Sequence, residues 1–191
     1  INAGTPGGFG FTPEWRKAAG KQYIDVGIAE EHAIAMSSGI AKNGGKPVFN
    51  VYSTFLQRTY DQLVQDLCVN NNSAVIINHY ASVYGMNDVT HLGFFDIPML
   101  TSIPNLVYLA PTNNEELLAM TEYAVHQHEH PVAIRVPVGE FTTTGVADTT
   151  DYSILNKSEV TRRGEGIALL GLGNFYHLAN QVADELAKEG I

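Results

Sequence analysis

Short, nearly continuous apolar runs alternate along the chain with segments whose apolar residues recur every three or four positions. The runs at 23–26, 47–52, 74–78, 105–110 and 132–136 predict strands. Between them, apolar residues crowd 29–39 on almost every side, as in an interior helix. Phe55, Leu56, Tyr60, Leu63, Val64 and Leu67 mark one amphipathic helix. Leu117, Leu118, Thr121, Ala124 and Val125 mark another, opened by a capping box at Thr112 and Glu115. Thr12 followed by Pro13 predicts an earlier helix start. Strands apolar on both sides and separated by helices imply a mostly parallel α/β sheet with helices on both faces. Residues 139–153 are small and polar and read as a linker. A strand at 167–171 and a helix capped by Asn174 and carrying Leu178, Val182 and Leu186 then read as the start of a second α/β domain. The expected division is a domain at 1–140, a linker at 141–157 and an incomplete second unit at 158–191.

In a parallel sheet, ligands bind beyond the carboxyl ends of the strands. The segments 27–31, 53–58 and the aperiodic 79–93 all follow strands and are expected to meet there. Asp25-Val26-Gly27-Ile28-Ala29-Glu30-Glu31-His32-Ala33 places a carboxylate where a strand passes into a helix. Read alone, it is equally an ordinary acidic first helical turn. Phe55 and Arg58 are three apart and share a helical face, offering a ring and a cation; alone, they are also a core ring and a solvated arginine. His91, with Thr90 beside it and Tyr84, Asn87 and Asp88 upstream, is a candidate proton carrier or plain polar surface. His126, His128 and His130 are spaced by two, which points their rings apart and argues against a metal. Gly171 and Gly173 lack the third glycine of a dinucleotide fingerprint.

Composition narrows the options. Of 191 residues, 11 are Lys or Arg and 20 Asp or Glu, for a net charge of -9. With 45% hydrophobic and 16% charged residues, the chain is too apolar for disorder and too acidic for non-specific nucleic-acid binding. The one cysteine, Cys68, forms no internal disulfide, and no apolar run reaches the roughly 18 residues of a membrane span. A soluble, cytoplasmic protein is expected. The first residue is Ile1 rather than Met, and both ends read as cut from a longer polypeptide.

Five stretches, DVGIAEEHA (25–33), YSTFLQRTYDQ (52–62), THLGFFD (90–96), IPNLVYLAPTNNEE (103–116) and AIRVP (133–137), together resemble the pyrimidine-binding domain of the transketolase superfamily. Within it they are similar to the 1-deoxy-D-xylulose-5-phosphate synthase family. The resemblance implies a thiamine-diphosphate-dependent transferase that joins a pyruvate-derived two-carbon unit to an aldehyde, in isoprenoid precursor and thiamine biosynthesis. It implies that Glu30 and His91 are catalytic, Glu30 bonding a ring nitrogen of the cofactor's aminopyrimidine and His91 handling protons. It places Phe55 against the pyrimidine, Ile28 as an apolar wall, and Tyr52 and Arg58 in the pocket lining. Magnesium would be bound by a diphosphate-binding domain in the same or a partner chain, so no metal ligand is expected here. A homodimer acting on small molecules, with no nucleic-acid or membrane partner, is implied as well, and this stretch alone would be inactive.

Departures accompany the matches. Tyr80 and Val138 stand where that family has arginines expected to grip the acceptor's phosphate, and Asn87 replaces an Asp. A guanidinium's paired donors are not reproduced by Tyr or Val. An altered acceptor is therefore expected. The other readings are a split transketolase, a two-oxo-acid dehydrogenase beta-like subunit, or a non-catalytic paralogue with a binding or regulatory role. YSTFLQR speaks against the first two. Glu30, Phe55 and His91 speak against the last, which the missing arginines favour.

Overall fold

A computed structural model describes residues 1–83 and 90–191; Tyr84, Asn87 and Asp88 lie outside the described residues. Four parallel strands form the sheet, in the order β1 (Val48–Tyr52), β2 (Val75–His79), β4 (Val132–Val136), β3 (Val107–Leu109). The expected first strand at 23–26 is reduced to one isolated bridge, Asn2 to Asp25. Asn2 lies between Asp25 and Asn50, and Val26 donates to the Asn2 carbonyl at 3.0 Å. This extended segment widens the sheet beyond β1 without forming a ladder.

Both faces of the sheet are buried, for the reason the apolar strands suggest. Phe49, Val51, Ile76 and Ala133 face one cluster with Ala33 and Ile34 of α2 (Glu30–Lys42), Leu56, Leu63 and Leu67, and Leu100 of α5 (Asp96–Thr101). Val75, Ile77, Val132 and Ile134 face the opposite cluster with Met120 and Ala124 of α6 (Asn114–His126). Successive residues of a strand thus feed two cores. The short helix α5 follows the aperiodic segment and has no counterpart in the expected elements.

Other details differ from the periodicity. The amphipathic stretch at 53–68 is not one helix. It runs through α3 (Ser53–Leu56), a 3₁₀ turn, α4 (Tyr60–Gln62) and a π-helical turn at Leu63–Cys68. Buried Thr59 donates its hydroxyl to the Leu56 carbonyl at 2.8 Å, a local bond that competes with the helical ladder. The cap of α6 sits one residue later than expected. Asn113 accepts from the Glu116 N–H at 2.8 Å, and Glu116 accepts from the Thr112 N–H at 2.7 Å. Glu115 instead accepts from the Thr144 and Gly145 N–H groups. By contrast, α1 (Pro13–Ala19) starts as expected, with Thr12 capping the Trp15 N–H.

The segment at 167–171 is not a strand; it has no regular secondary structure, and Leu170 is 94% exposed. No partner strand among the described residues takes up its backbone groups, and a lone strand cannot satisfy them. The helix after it, α7 (Phe175–Lys188), is present, but the Asn174 side chain makes no capping bond. The His177 ring ties α7 to Thr112 and Thr142, at 2.8 and 2.9 Å.

Candidate functional site at the carboxyl edge of the sheet

Tyr52, His79 and Val136 are adjacent in register and end β1, β2 and β4. The chain leaving these strands builds one edge. From the N-terminal side comes the turn ahead of α2. There the Asp25 carboxylate accepts from the Gly27 N–H at 2.9 Å, the Gly4 N–H at 3.1 Å, the Asn2 amide at 3.0 Å and the Tyr23 hydroxyl at 3.1 Å. Partial burial pushes its pKa up, but these four bonds outweigh it and hold Asp25 below the usual carboxylate range. Gly27 takes φ +70°, which a side chain would resist. The turn delivers Glu30 as the first residue of α2, 2% exposed.

Glu30 meets Arg58, which arrives one turn after Phe55 on the broken helical stretch. Glu30 Oε2 lies 3.3 Å from Arg58 Nη1, without a hydrogen bond from any described residue. Arg58 Nε donates instead to Glu31 at 3.0 Å. A buried carboxylate oxygen is thus left with spare acceptor capacity at a helix N-terminus, where a negative charge is favoured.

Rings form the other half of the edge. Tyr52 and Phe55 lie 5.9 Å apart, and His91 stands edge-on to both, at 5.4 and 5.2 Å between centroids. The His91 ring also meets the Thr90 hydroxyl at 2.9 Å. Of the residues singled out in the sequence, Tyr52, Phe55 and His91 form one cluster and Glu30 and Arg58 one ion pair. Ile28 stands 77% exposed on the turn before α2.

Sequence reasoning passed over several participants. Phe9 packs on Tyr52 at 4.7 Å and on His79 at 4.6 Å. A Cβ on Gly8 beside it would overlap the Tyr52 hydroxyl, so a side chain there would displace the Tyr52 ring. The Gly7-Gly8-Phe9 spacing was the available signal. His79 Nε2 donates to the Asn50 side-chain oxygen at 3.1 Å, and burial pushes its pKa down to about 4. Beneath the edge, Arg135 Nε donates to Asp96 at 2.8 Å, and Tyr108 and Asn78 also donate to Asp96. Burial, with Asp96 adding to it, raises the Tyr108 pKa.

Fold and edge together define an α/β ligand-binding domain with a buried acid and an aromatic wall beyond the strand ends. Residues 7–143 match the model of the transketolase pyrimidine-binding domain family, and the chain belongs to that family. It is 39% identical over 191 residues to a 1-deoxy-D-xylulose-5-phosphate synthase of Natranaerobius thermophilus, covering 100% of this chain and 30% of that protein. It is 42% identical over 195 residues to the protein of the same name from Stenotrophomonas maltophilia, covering 96% of this chain and 30% of the relative. The chain therefore spans less than a third of the length of these curated relatives. Among solved structures, a split-gene transketolase described as an inactive beta4 tetramer superposes with a TM-score of 0.78 at 20% identity, over 100% of this chain and 61% of that one. Transketolase from Leishmania mexicana superposes with a TM-score of 0.63 at 17% identity, over 76% and 23%. At these identities the superpositions establish the fold. Among the described residues no helix is long and apolar enough to cross a membrane.

Proposed function

We propose that this chain is the pyrimidine-binding part of a thiamine-diphosphate-dependent transferase that moves a pyruvate-derived two-carbon unit onto an aldehyde. The observation that carries the reading is the buried, incompletely bonded Glu30 oxygen, whose partner Arg58 follows Phe55 by three residues. A flat, nitrogen-containing ring fits such a place: Phe55 offers a face to stack on, and Glu30 an oxygen to bond a ring nitrogen. When bound, thiamine diphosphate supplies the carbon nucleophile of this chemistry. Glu30 holds a proton at the ring nitrogen and orients the ring. Arg58 keeps the Glu30 carboxylate in place while Glu31 holds Arg58. Tyr52 and Phe55 exclude water from one side. Burial, and after it Tyr80, raises the Tyr52 pKa, which keeps its hydroxyl a donor. His91 exchanges protons with the donor and acceptor oxygens.

The rest of the site lies in other parts of the assembly. A diphosphate-binding domain, in the same or a partner chain, would hold magnesium, and two copies would form a cytoplasmic homodimer. Within this chain the cofactor-activating unit is 1–140, followed by a linker at 141–157 and the start of the next domain at 158–191. The pathway proposed for the complete protein is isoprenoid precursor and thiamine biosynthesis. Calorimetric titration of the complete assembly with thiamine diphosphate and magnesium tests the reading. Saturable binding coupled to pyruvate consumption is expected; absence of both would overturn it.

A further inference from the structure

Helices α1 and α6 begin with side-chain caps, Thr12 bonding the Trp15 N–H and Asn113 the Glu116 N–H. Helix α2 does not. Its capping position is Ala29, which offers the first turn no side-chain acceptor. Yet this is the helix whose first residue is Glu30, buried, with Oε2 bonded by no described residue. Something other than a cap fixes how the chain enters α2.

Asp25 does so. Its Oδ1 accepts from the Gly27 N–H at 2.9 Å, as in an Asx turn, and from the Gly4 N–H at 3.1 Å. Its Oδ2 accepts from the Asn2 amide at 3.0 Å and the Tyr23 hydroxyl at 3.1 Å. The Gly27 carbonyl in turn accepts from the Ala29 N–H at 2.8 Å, one residue before Glu30. The other end of this anchor is the sheet. Asn2, 0% exposed, donates its N–H to Ile24 and accepts from Val26, and the Asn50 N–H of β1 donates to the Ile1 carbonyl. Gly4 holds φ at +79° and passes so near Ile28 that a Cβ on it would lie 3.0 Å from the Ile28 side chain. One carboxylate thus ties the turn before Glu30 to a segment seated against β1.

Resting on the function proposed above, we infer that Asp25 is a positioning residue for Glu30, acting through the Gly27 turn. Oδ1 is the atom that matters, because it joins the Gly27 and Gly4 N–H groups. Without it the entry to α2 pivots about Gly27 and carries the Glu30 oxygen away from the cofactor's ring nitrogen. Oδ2, bonded to Asn2 and Tyr23, serves stability. A shift of about 1 Å in a reacting geometry slows a reaction on the order of 100-fold. A smaller pivot therefore registers in the rate while Phe55 and Arg58 still hold the cofactor.

Hydrogen–deuterium exchange at the thiazolium carbon of thiamine diphosphate on the complete assembly tests this. Asp25→Ala is expected to slow exchange about tenfold while the cofactor Kd changes less than about threefold. Asp25→Asn keeps one oxygen for the Gly27 and Gly4 N–H groups, and its exchange should stay within about threefold of the parent's although Oδ2 is lost. Tyr23→Phe, which removes a bond to Oδ2 alone, should exchange at the parental rate. The parental rate in Asp25→Ala, or equal slowing in Asp25→Ala and Asp25→Asn, would overturn the inference. Should Asp25→Ala not assemble, Asp25→Glu, which keeps the charge but moves the oxygens by one methylene, is expected to slow exchange at least about threefold; the parental rate there would overturn it equally. A second measurement needs no cofactor. Mass-spectrometric amide exchange of the assembly should be faster over 25–33 in Asp25→Ala and unchanged over 114–126, and an unchanged 25–33 stretch would contradict the inference. If the parent neither binds thiamine diphosphate nor consumes pyruvate, the proposed function fails, while amide exchange still decides whether Asp25 holds the turn.

Discussion

Arg135 and Arg58 both pair with carboxylates at the carboxyl edge, and the pairs are built differently. Arg135 and Asp96 are 6% and 0% exposed, 2.8 Å apart, and embedded among Asn78, Tyr108 and the Gly93 carbonyl. Arg58 is 49% exposed, contacts Glu30 at 3.3 Å and gives its hydrogen bond to Glu31. The buried pair locks α5 to the sheet, and its loss strands a desolvated charge. The half-exposed pair leaves the Glu30 oxygen available to something else. A carboxylate network saturated within the protein serves the fold, whereas one left with spare capacity at a strand-end edge is suited to a ligand.

The largest effect is expected from breaking the buried pair. Asp96→Ala leaves Arg135 uncompensated and should cost about 3–5 kcal/mol in urea unfolding. A loss below about 1 kcal/mol would show that Arg135 relaxes to solvent and that the contrast is false.

The next concerns His79, the buried ring at the end of β2. Its folded pKa of about 4 lies below the ordinary 6.5. Between those values the unfolded chain binds the proton and the folded one does not. Stability is therefore fullest above pH 6.5, is lost as pH falls toward 4, and levels off below. The loss attributable to His79 is up to about 3 kcal/mol. His79→Asn should flatten the stability profile between pH 6.5 and 4; an unchanged slope would assign it to other groups.

The smallest stability effect is expected at the half-exposed pair. Arg58→Gln should change unfolding free energy by no more than about 1 kcal/mol, since solvent screens the interaction. Thiamine diphosphate affinity of the assembly should nonetheless fall. A stability loss as large as that of Asp96→Ala would make both pairs structural.

Much of this was legible in the chain. The β-branched runs that became β1, β2 and β4 announced a sheet covered on both faces, because a strand apolar on alternate and intervening positions has no face to show to water. Phe55 and Arg58 were readable as a pair because helical spacing survives even in a broken helix. The breaks themselves were not, since Thr59 competes for one carbonyl in a way periodicity does not register. The 23–26 and 167–171 segments had strand-like composition, yet a ladder depends on what lies alongside. Asn2 supplied one isolated bridge to the first, and no described residue supplied any to the second. Tyr80 was noticed as a substitution, but its strained φ and the Gly93 backbone behind it arise from residues far apart in sequence. The Asp96 network escaped for the same reason, as its members come from β2, α5, β3 and β4.

The central claim is that Glu30 keeps its spare oxygen for a cofactor ring nitrogen. The most direct test is hydrogen–deuterium exchange at the thiazolium carbon of thiamine diphosphate bound to the complete assembly, followed by NMR. Glu30→Gln, with cofactor still bound and Arg58 still in place, should slow exchange by about 100-fold or more, the scale of one positioned acid–base group. Exchange at the unsubstituted rate would contradict the account.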